Sequence, residues 1–289
     1  MIYDEKSSLL LCTGLGLEKI SKLSGRDGNA VERELRKFGK KYLDRYRIFC
    51  EYKKLVETGR LKEPIIPIIA AMPCVGKTTM AREIATAFGI GNVVGGDAFR
   101  SALRDFFSKE KTPEFFTSVY DAWKFFGEKN NENIIKGFEA QAQIINRAIE
   151  RMVADRGIRD GESIVFEYLH FLPSQYDKEI LGHPSVIPVV LRLNADKIYK
   201  ERIGMRDRRT HLKGDSSRLL SALDAYKIMQ DFQCKDAKKY GIPVVSTDNW
   251  EKAVDEVLSI ISARIGKLIT MKEVKESSKI VKLRKERNL

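Results

Sequence analysis

Short runs of apolar, β-branched residues recur along the chain and predict its strands. They occupy positions 64–71, 92–97, 163–167, 185–193 and 242–246. Apolar residues fill almost every position of the run at 64–71, which is typical of a strand buried on both faces of a parallel sheet. Between the runs, apolar residues recur at steps of three and four, the period of a helix packed on a core. We therefore predict an α/β fold, a doubly wound parallel five-stranded sheet with helices on both faces.

The two ends of the chain have their own patterns. Residues 1–28 show little periodicity and end in a turn-forming cluster at 24–28, which indicates a loop. From 29 to 58 the helical period is clear, and Gly59 ends it. The predicted parts are an N-terminal segment and helix over 1–60, which form a helical extension, the α/β domain at 61–265, and a basic C-terminal helix or tail at 266–289.

Composition excludes several classes of protein. The chain has 289 residues, of which 43% are hydrophobic and 32% charged, enough to bury a sizeable core. It has no run of eighteen apolar residues, and no basic stretch precedes the short Leu-rich run near Met1, so we expect a cytoplasmic protein without a membrane span. Three histidines and widely spaced cysteines indicate neither a zinc site nor disulfides. The cysteines, expected to be reduced, are Cys12, Cys50, Cys74 and Cys234.

A net charge of +12 favours anionic partners. A nucleotide, a phosphorylated metabolite, RNA and an acidic membrane surface all fit this charge, and of these we expect no membrane partner. Residues 266–289 hold eight basic and three acidic side chains. A nucleic-acid partner bound through this basic surface and tail therefore stays open, and a solvated extension that contacts nothing is the simpler alternative. The oligomeric state also stays open.

One segment carries the pattern of a phosphate-binding loop. Residues 71–78, AMPCVGKT, have the length of G-x-x-x-x-G-K-[ST] and lie between a predicted strand and a predicted helix. In such a loop, N–H groups surround the β-phosphate of ATP, the lysine reaches the β- and γ-phosphates, and the last hydroxyl ligates Mg²⁺. We therefore assign Lys77 a catalytic role and Thr78 a role as metal ligand. The predicted ATP-binding residues are Pro73, Cys74, Val75, Gly76, Lys77, Thr78 and Thr79.

Three features of this segment leave alternatives. Ala71 stands where the pattern has glycine, and a positive φ there would cost about 1 kcal/mol. Gly-Lys-Thr can also open an ordinary helix by chance, although the flanking strand and helix argue against this. Cys74 is either a reactive thiol in an electropositive loop or a small buried filler, and the filler is favoured.

Two acidic residues end predicted strands at the edge of the sheet where doubly wound folds bind ligands. Asp97 ends the second strand, and we assign it as the catalytic carboxylate that accepts the proton of an attacking hydroxyl or holds Mg²⁺. Capping of the next helix is the alternative role for Asp97. Glu167 ends the third strand and is the predicted acidic ligand of Mg²⁺.

Several segments carry a family resemblance. They are 62–66 (KEPII), 96–100 (GDAFR), 120–124 (YDAWK) with 137–142 (GFEAQA), 163–173 (SIVFEYLHFLP) and 241–245 (GIPVV). In order and spacing, the stretch from about 46 to 265 resembles the archaeal 2-phosphoglycerate kinase family. The resemblance implies a P-loop kinase fold and an ATP- and Mg²⁺-dependent enzyme. It implies transfer of the γ-phosphoryl group to the 3-hydroxyl of 2-phosphoglycerate, which gives 2,3-bisphosphoglycerate.

The chain departs from the family pattern at three places. The family loop resembles GGxSGVGKS, whereas residues 70–78 read AAMPCVGKT. The family has a glycine before the Val-His of its third-strand motif, whereas this chain has Tyr168, which the resemblance places beside the acceptor pocket. Many members carry an N-terminal nucleotide-binding cone domain, which residues 1–45 are too short to form. We therefore expect a divergent member of the family that is still a kinase but whose substrate can differ.

Basic residues near the predicted site can neutralise the negative charges of the transferred phosphoryl group and of the acceptor. Arg202 and Arg206 lie before the long helix, where we expect a catalytic lid whose guanidinium groups neutralise the transferred phosphoryl group. A solvated basic helix face is the alternative. Arg100 and Arg104 share a helix face and are expected to bind the phosphate and carboxylate of the acceptor. His170 is expected to contact the acceptor as well.

Two other functions stay open on the sequence. An RNA or polynucleotide kinase would use the same fold, with the basic charge and with aromatic side chains such as Trp123 and Phe171 for stacking. A nucleotide-binding regulator with weakened catalysis would account for Ala71. Turnover with different acceptors distinguishes these functions from a small-metabolite kinase.

Overall fold

Five parallel strands form the centre of the molecule. The computed structural model describes the backbone of residues 5–209 and 216–287 and the side chains of 8–205 and 216–272. The strands are β1 (Ile66–Ala70), β2 (Asn92–Gly95), β3 (Ile164–Tyr168), β4 (Val186–Arg192) and β5 (Val244–Ser246). They are hydrogen-bonded in the order β2-β3-β1-β4-β5, and each neighbouring pair is parallel. The predicted fold class is confirmed.

Helices surround this sheet and supply its connections. Those described are α1 (Glu5–Leu11), α2 (Leu17–Leu23), α3 (Gly28–Phe38), α4 (Lys40–Glu57), α5 (Lys77–Phe88), α6 (Gly96–Leu103), α7 (Asn131–Met152), α8 (Lys178–Gly182), α9 (Asp196–Arg209), α10 (Ser217–Ser221), α11 (Leu223–Lys239) and α12 (Trp250–Arg287). Short 3₁₀ turns lie at Arg104–Phe106, Pro113–Phe116, Val119–Phe125 and Pro173–Gln175, and a π-helical turn at Val153–Arg159 extends α7.

The central strands β1, β3 and β4 are largely apolar and buried because the sheet is covered on both faces. Successive residues of a strand point to opposite faces. In β1, Ile69 belongs to the apolar cluster that includes α5 and α12, while Ile68 belongs to the cluster on the other face, against α7. Val165 and Phe166 of β3 divide in the same way. Both layers of helices are therefore needed to bury the sheet.

The N-terminal region differs from its prediction. Residues 1–28, expected as a loop, contain α1 and α2, and the single helix expected over 29–58 is divided at Gly39, whose φ is 133°. The short helices are stabilised by tertiary packing rather than by their own periodicity. Their apolar side chains form a cluster that includes Leu10, Leu15, Ile20, Leu23, Val31, Leu35 and Leu43.

The terminal helices pack on the α/β core. Phe49 and Tyr52 of α4 share an apolar cluster with β1 and α5. At the other end, α12 runs through residue 265 without a break, and Leu268 and Ile269 are buried. A tail that begins at 266 would therefore start inside a packed helix, and the boundary belongs beyond Ile269. Among the helices as far as the structure describes them, none has both the length and the apolar character needed to span a membrane.

Candidate active site

The phosphate loop connects β1 to α5 with two residues in the left-handed region. Gly76 has a φ of 114°, and Cys74 has a φ of 63°, the only positive φ at a non-glycine within the described ranges. Ala71 is not in this region, so the cost considered for its Cβ does not arise. The strain lies instead at Cys74, where the resembling family has glycine.

Gly76 is required by a neighbour as well as by its φ. A Cβ built on Gly76 would lie 2.6 Å from a ring carbon of Trp250, which begins α12. The Nε1 of Trp250 donates to Oε1 of Glu83 at 3.2 Å, which fixes the ring. The loop backbone can approach the indole this closely only without a side chain at position 76.

Side chains from the far side of the loop bind its carbonyl oxygens. The hydroxyl of Tyr199 donates to the carbonyl of Pro73 at 2.7 Å. Thr247 Oγ1 donates to the carbonyl of Val75 at 3.0 Å, and Arg202 Nη1 donates to the same carbonyl at 2.7 Å. Because the carbonyls are held from behind, the loop can direct its N–H groups outward.

The open side of the loop is a cradle for anions. Within the described residues, the backbone N–H groups of Gly76, Lys77 and Thr78 form no hydrogen bond, as expected at the first turn of a helix. Unpaired N–H groups and the positive end of the helix dipole favour a phosphate at this position. The ammonium group of Lys77 adds a full positive charge beside it.

Glu167 at the end of β3 lies directly beside the first residues of α5. Thr78 Oγ1 donates to Glu167 Oε1 at 3.1 Å, and Lys77 Nζ lies 3.7 Å from Oε2. Burial raises the pKa of Glu167 above its ordinary value, although Lys77 and Thr78 oppose the shift. Its Oε2 is buried and has no hydrogen-bond partner among the described residues.

This group of oxygen atoms fits Mg²⁺. A carboxylate and a hydroxyl beside a phosphate cradle are the protein ligands that Mg²⁺ takes when phosphate oxygens and water fill its other positions. The Oε2 of Glu167 accepts no hydrogen bond from the described residues and has only the Lys77 ammonium nearby, so it can supply a further ligand atom. The predicted roles of Thr78 and Glu167 are therefore compatible with the geometry.

Asp97 lies in the first turn of α6, and the strand that it was predicted to end stops two residues earlier, at Gly95. Gly95 is the N-cap of α6 and no side chain caps it, so capping does not occupy Asp97. The carboxylate is exposed and forms no ion pair with the described residues. It lies close enough to influence the pKa of both Glu167 and Arg100. Asp97 is therefore a free carboxylate between the phosphate cradle and a basic group.

That basic group is formed by Arg100 and Arg104. Arg100 donates through Nη2 to the carbonyl of Thr117, and Arg104 donates through Nε and Nη2 to the carbonyl of Phe115 at 3.2 and 3.1 Å. Burial and the neighbouring Arg104 lower the pKa of Arg100 to about 10, so it stays charged at neutral pH. The Nε of Arg100 is buried without a partner, and neither arginine is paired with a described carboxylate. Two partly buried cations without a counterion form a site for an anionic group.

Two predicted acceptor contacts are corrected by the structure. Tyr168 is 1% exposed, and its hydroxyl bonds that of Tyr176 on the face of the sheet opposite to Glu167. The reason is strand alternation, because a residue adjacent to Glu167 must point to the other face. His170 is 2% exposed, and its Nε2 lies 3.1 Å from Oε1 of Gln141, so it contacts the protein interior.

The lid arginines have different outcomes. Arg202 binds the carbonyl of Val75 and both the hydroxyl and the carbonyl of Thr247, so most of its donors are used by the loop and by the end of β5. The side chain of Arg206 lies outside the described residues. A catalytic lid therefore stays a prediction for Arg206, whereas Arg202 holds the phosphate loop in place.

Sequence reasoning did not find Trp250, Thr247 or Tyr199, which hold the loop from behind. A signal was available for two of them. Thr247 and Trp250 follow β5 at the carboxyl edge of the sheet, where doubly wound folds build their sites. Tyr199 gave no signal, because it occupies a helical core position like many others.

Two of the known proteins that are similar to this chain align with most of its length. A 2-phosphoglycerate kinase from Methanopyrus kandleri is 30% identical over 253 residues, which are 87% of this chain and 75% of that protein. A mevalonate-3-phosphate 5-kinase from Thermoplasma acidophilum is 34% identical over 193 residues, which are 67% of this chain and 93% of that protein. No protein-family model matches the chain.

Among solved structures, a gluconokinase from Sinorhizobium meliloti 1021 superposes on 72% of this chain and 97% of its own length. The TM-score is 0.39 and the sequence identity 15%.

Proposed function

From the premise that this chain belongs to the 2-phosphoglycerate kinase family and is an ATP-dependent kinase, we propose that its acceptor is a small phosphorylated hydroxy acid. The first candidate is 2-phosphoglycerate, which would be converted to 2,3-bisphosphoglycerate. The observation that carries this proposal is the pair Arg100 and Arg104 near Asp97, held by backbone carbonyls and not by any described carboxylate. An acceptor with a phosphate and a carboxylate supplies the negative charges that these arginines lack.

The described residues divide the reaction between them. The N–H groups at the start of α5 and the Lys77 ammonium hold the β- and γ-phosphates of ATP. Thr78 and Glu167 would hold Mg²⁺, which supplies neutralisation of phosphate charge when it is bound. Asp97 accepts the proton of the acceptor hydroxyl as its oxygen bonds the γ-phosphorus, while the bond from that phosphorus to the bridging oxygen breaks and ADP leaves.

Mevalonate 3-phosphate is a second candidate acceptor. The relative named as acting on it is 34% identical to this chain, and the aligned region spans 93% of that relative. Both candidate acceptors have a carboxylate, a phosphate and a primary hydroxyl, so both match the same arginine pair. They differ in the number of carbons between phosphate and hydroxyl and in a methyl group. The choice between the two acceptors therefore depends on the length of the acceptor site and not on its charge.

An acceptor panel tests the proposal. Phosphoryl transfer from ATP would be measured with 2-phosphoglycerate, mevalonate 3-phosphate, unphosphorylated glycerate, and a short RNA with a free 5′-hydroxyl. We expect one phosphorylated acid to exceed glycerate by at least about a hundredfold in kcat/KM, since loss of a charged group bound by paired arginines costs about 3 kcal/mol. Faster turnover of RNA than of either acid would contradict the proposal. Lys77→Ala is the control that removes ATP-dependent transfer in every arm.

A further inference from the structure

The two arginines of the acceptor site depend on backbone carbonyls of the segment 113–119. The carbonyl of Thr117 accepts from Arg100 Nη2, from Arg104 Nη2 at 3.5 Å, and from Gln141 Nε2 at 3.2 Å. The carbonyl of Phe115 accepts a further pair of bonds from Arg104. The position of this segment therefore determines where the guanidinium groups lie.

Gln141 of α7 binds the same segment. It is fully buried in α7 and donates through Nε2 to the carbonyl of Glu114 at 2.5 Å as well as to that of Thr117. Carbonyls only accept, so the amide nitrogen of Gln141 must face the segment and its Oε1 must face away. Oε1 then requires a donor, because an unpaired buried acceptor is destabilising.

His170 is that donor. Its Nε2 lies 3.1 Å from Gln141 Oε1, and its ring stacks on Phe138 with centroids 5.9 Å apart. Burial, with Arg100 and Lys77 nearby, lowers the pKa of His170 well below its ordinary value, so the ring is neutral. A neutral ring can donate at Nε2 only in the tautomer that carries its proton there.

We propose that His170 and Gln141 are positioning residues for the acceptor anion, acting through the 113–119 segment on Arg100 and Arg104. This inference rests on the proposed function, because it is the acceptor that the arginines would bind. His170 follows Glu167 by three residues at the end of β3. The same strand end therefore places the metal-binding carboxylate and, through Gln141, the arginine pair, which fixes the distance between the two substrates.

A matched set of variants tests whether His170 and Gln141 position the two arginines through the 113–119 segment. His170→Phe keeps the ring that stacks on Phe138 but removes the donor, and His170→Gln restores an N–H near the position of Nε2. The control is Asn146→Ala, which removes a buried hydrogen bond from α7 to Gln175 without contact with the arginines. If His170→Phe does not fold, Gln141→Met interrupts the same relay from the helix side.

We expect His170→Phe to raise the KM of the acceptor about tenfold while the KM of ATP changes less than twofold, because only the acceptor site loses its support. Hydrogen exchange of the amides in 113–119 should be faster in His170→Phe and near wild type in His170→Gln and Asn146→Ala. The positioning role is contradicted if His170→Phe lowers only kcat, if it changes the KM of both substrates equally, or if it leaves hydrogen exchange at 113–119 unchanged. If the wild-type enzyme phosphorylates neither acid, the proposed function is wrong. The support of the arginines by His170 is then still tested, because the exchange measurement needs no acceptor.

Discussion

At the scale of single residues, Cys74 carries the backbone strain of the phosphate loop. Its φ of 63° is a conformation that glycine adopts freely and other residues adopt at a cost of about 1–2 kcal/mol. Ala71, which replaces the first glycine of the loop pattern, has no such φ and is fully buried. The substitution that looks more disruptive in the sequence is therefore the less strained of the two.

Glycine substitutions at these two positions are expected to have opposite effects on the free energy of unfolding. We expect Cys74→Gly to stabilise by up to about 1 kcal/mol, because strain relief exceeds the added entropy of the unfolded chain. Ala71→Gly should destabilise by about 1 kcal/mol, because it loses a buried methyl and relieves nothing. Urea unfolding of both variants measures the difference. Equal destabilisation by both would show that Cys74 is not strained.

Asp97 is the residue assigned to accept the proton of the acceptor hydroxyl. Asp97→Asn should lower kcat by about a hundredfold or more while the KM of ATP stays within a few-fold, because the amide cannot accept the hydroxyl proton. Asparagine caps a helix as well as aspartate does, so a purely capping residue would show almost no loss. Steady-state kinetics with the acceptor found in the panel gives the result.

At the scale of elements, Arg202 joins α9 to the phosphate loop and to β5. Its three hydrogen bonds run to main-chain and side-chain oxygens of Val75 and Thr247, at 2.6 to 3.1 Å. Arg202→Met should lower the free energy of unfolding by about 2 kcal/mol and raise the KM of ATP, because the loop loses bonds to a charged donor. Thermal unfolding and kinetics would be compared with those of Arg206→Met. If Arg202→Met lowers kcat while the free energy of unfolding is unchanged, Arg202 has the predicted catalytic role of neutralising the transferred phosphoryl group.

Asp248 fixes the turn that leads into α9. It accepts from the backbone N–H groups of Asn194 and Ala195, from the Asn194 amide, and from Ser246. Burial alone would raise the pKa of Asp248, but these hydrogen bonds to the carboxylate lower it to about 2. The turn is therefore tied to the end of β5 by a group that stays charged in mildly acidic solution.

The lowered pKa predicts a pH dependence with a definite sign. The stabilisation from Asp248 is complete above its ordinary pKa near 4 and is lost as pH falls toward 2. Asp248→Asn should therefore destabilise by about 1 kcal/mol at pH 7, a value reduced for solvent screening of a partly exposed group. Urea unfolding between pH 3 and 7 should show the difference from wild type narrowing only below pH 4. A difference that is constant over this range would contradict the assignment.

At the scale of the whole molecule, the N-terminal helices are joined to the last helix by a buried arginine. Arg45 of α4 donates to the carbonyl of Thr13 at 2.9 Å and to Asp255 and Ser259 of α12. Its side chain is 4% exposed, so removal leaves buried acceptors without a donor. The N-terminal segment is in this way built into the packing that supports α12.

A neighbouring arginine on the same helix supplies the control. Arg47 pairs with Glu32 at a half-exposed position. Arg45→Met should lower the free energy of unfolding by about 3 kcal/mol, whereas Arg47→Met should leave it nearly unchanged, because the Arg47 pair is exposed to solvent. Urea unfolding of the two variants gives the comparison. Similar losses would mean that the N-terminal helices are not held through Arg45.

The basic tail is still a prediction at this scale, since the side chains after 272 lie outside the described residues. Nucleic-acid binding is likewise untested. Because Leu268 and Ile269 are buried, a truncation that leaves the fold intact should end after Lys272. The salt dependence of RNA binding by that truncation and by the full chain would measure any contribution of the tail.

Elements with a local signal could be predicted from the amino-acid sequence alone. Apolar runs placed all five strands, and the loop pattern with Glu167 at the end of β3 identified the residues that the structure brings together around the cradle. These features follow from strand periodicity and from short motifs, which depend on neighbours in the chain. The short helices α1 and α2 escaped because their stability comes from packing.

Only the tertiary structure decided what each neighbouring side chain contacts. Strand alternation already sets Tyr168 on the face opposite to Glu167, whereas the bond of His170 to Gln141 depends on how α7 packs near the end of β3. In the same way Arg202 has the spacing of a lid residue, yet its donors are taken by Val75 and Thr247. A motif fixes residue types along the chain, whereas long-range packing determines which donors and acceptors are left free for a substrate.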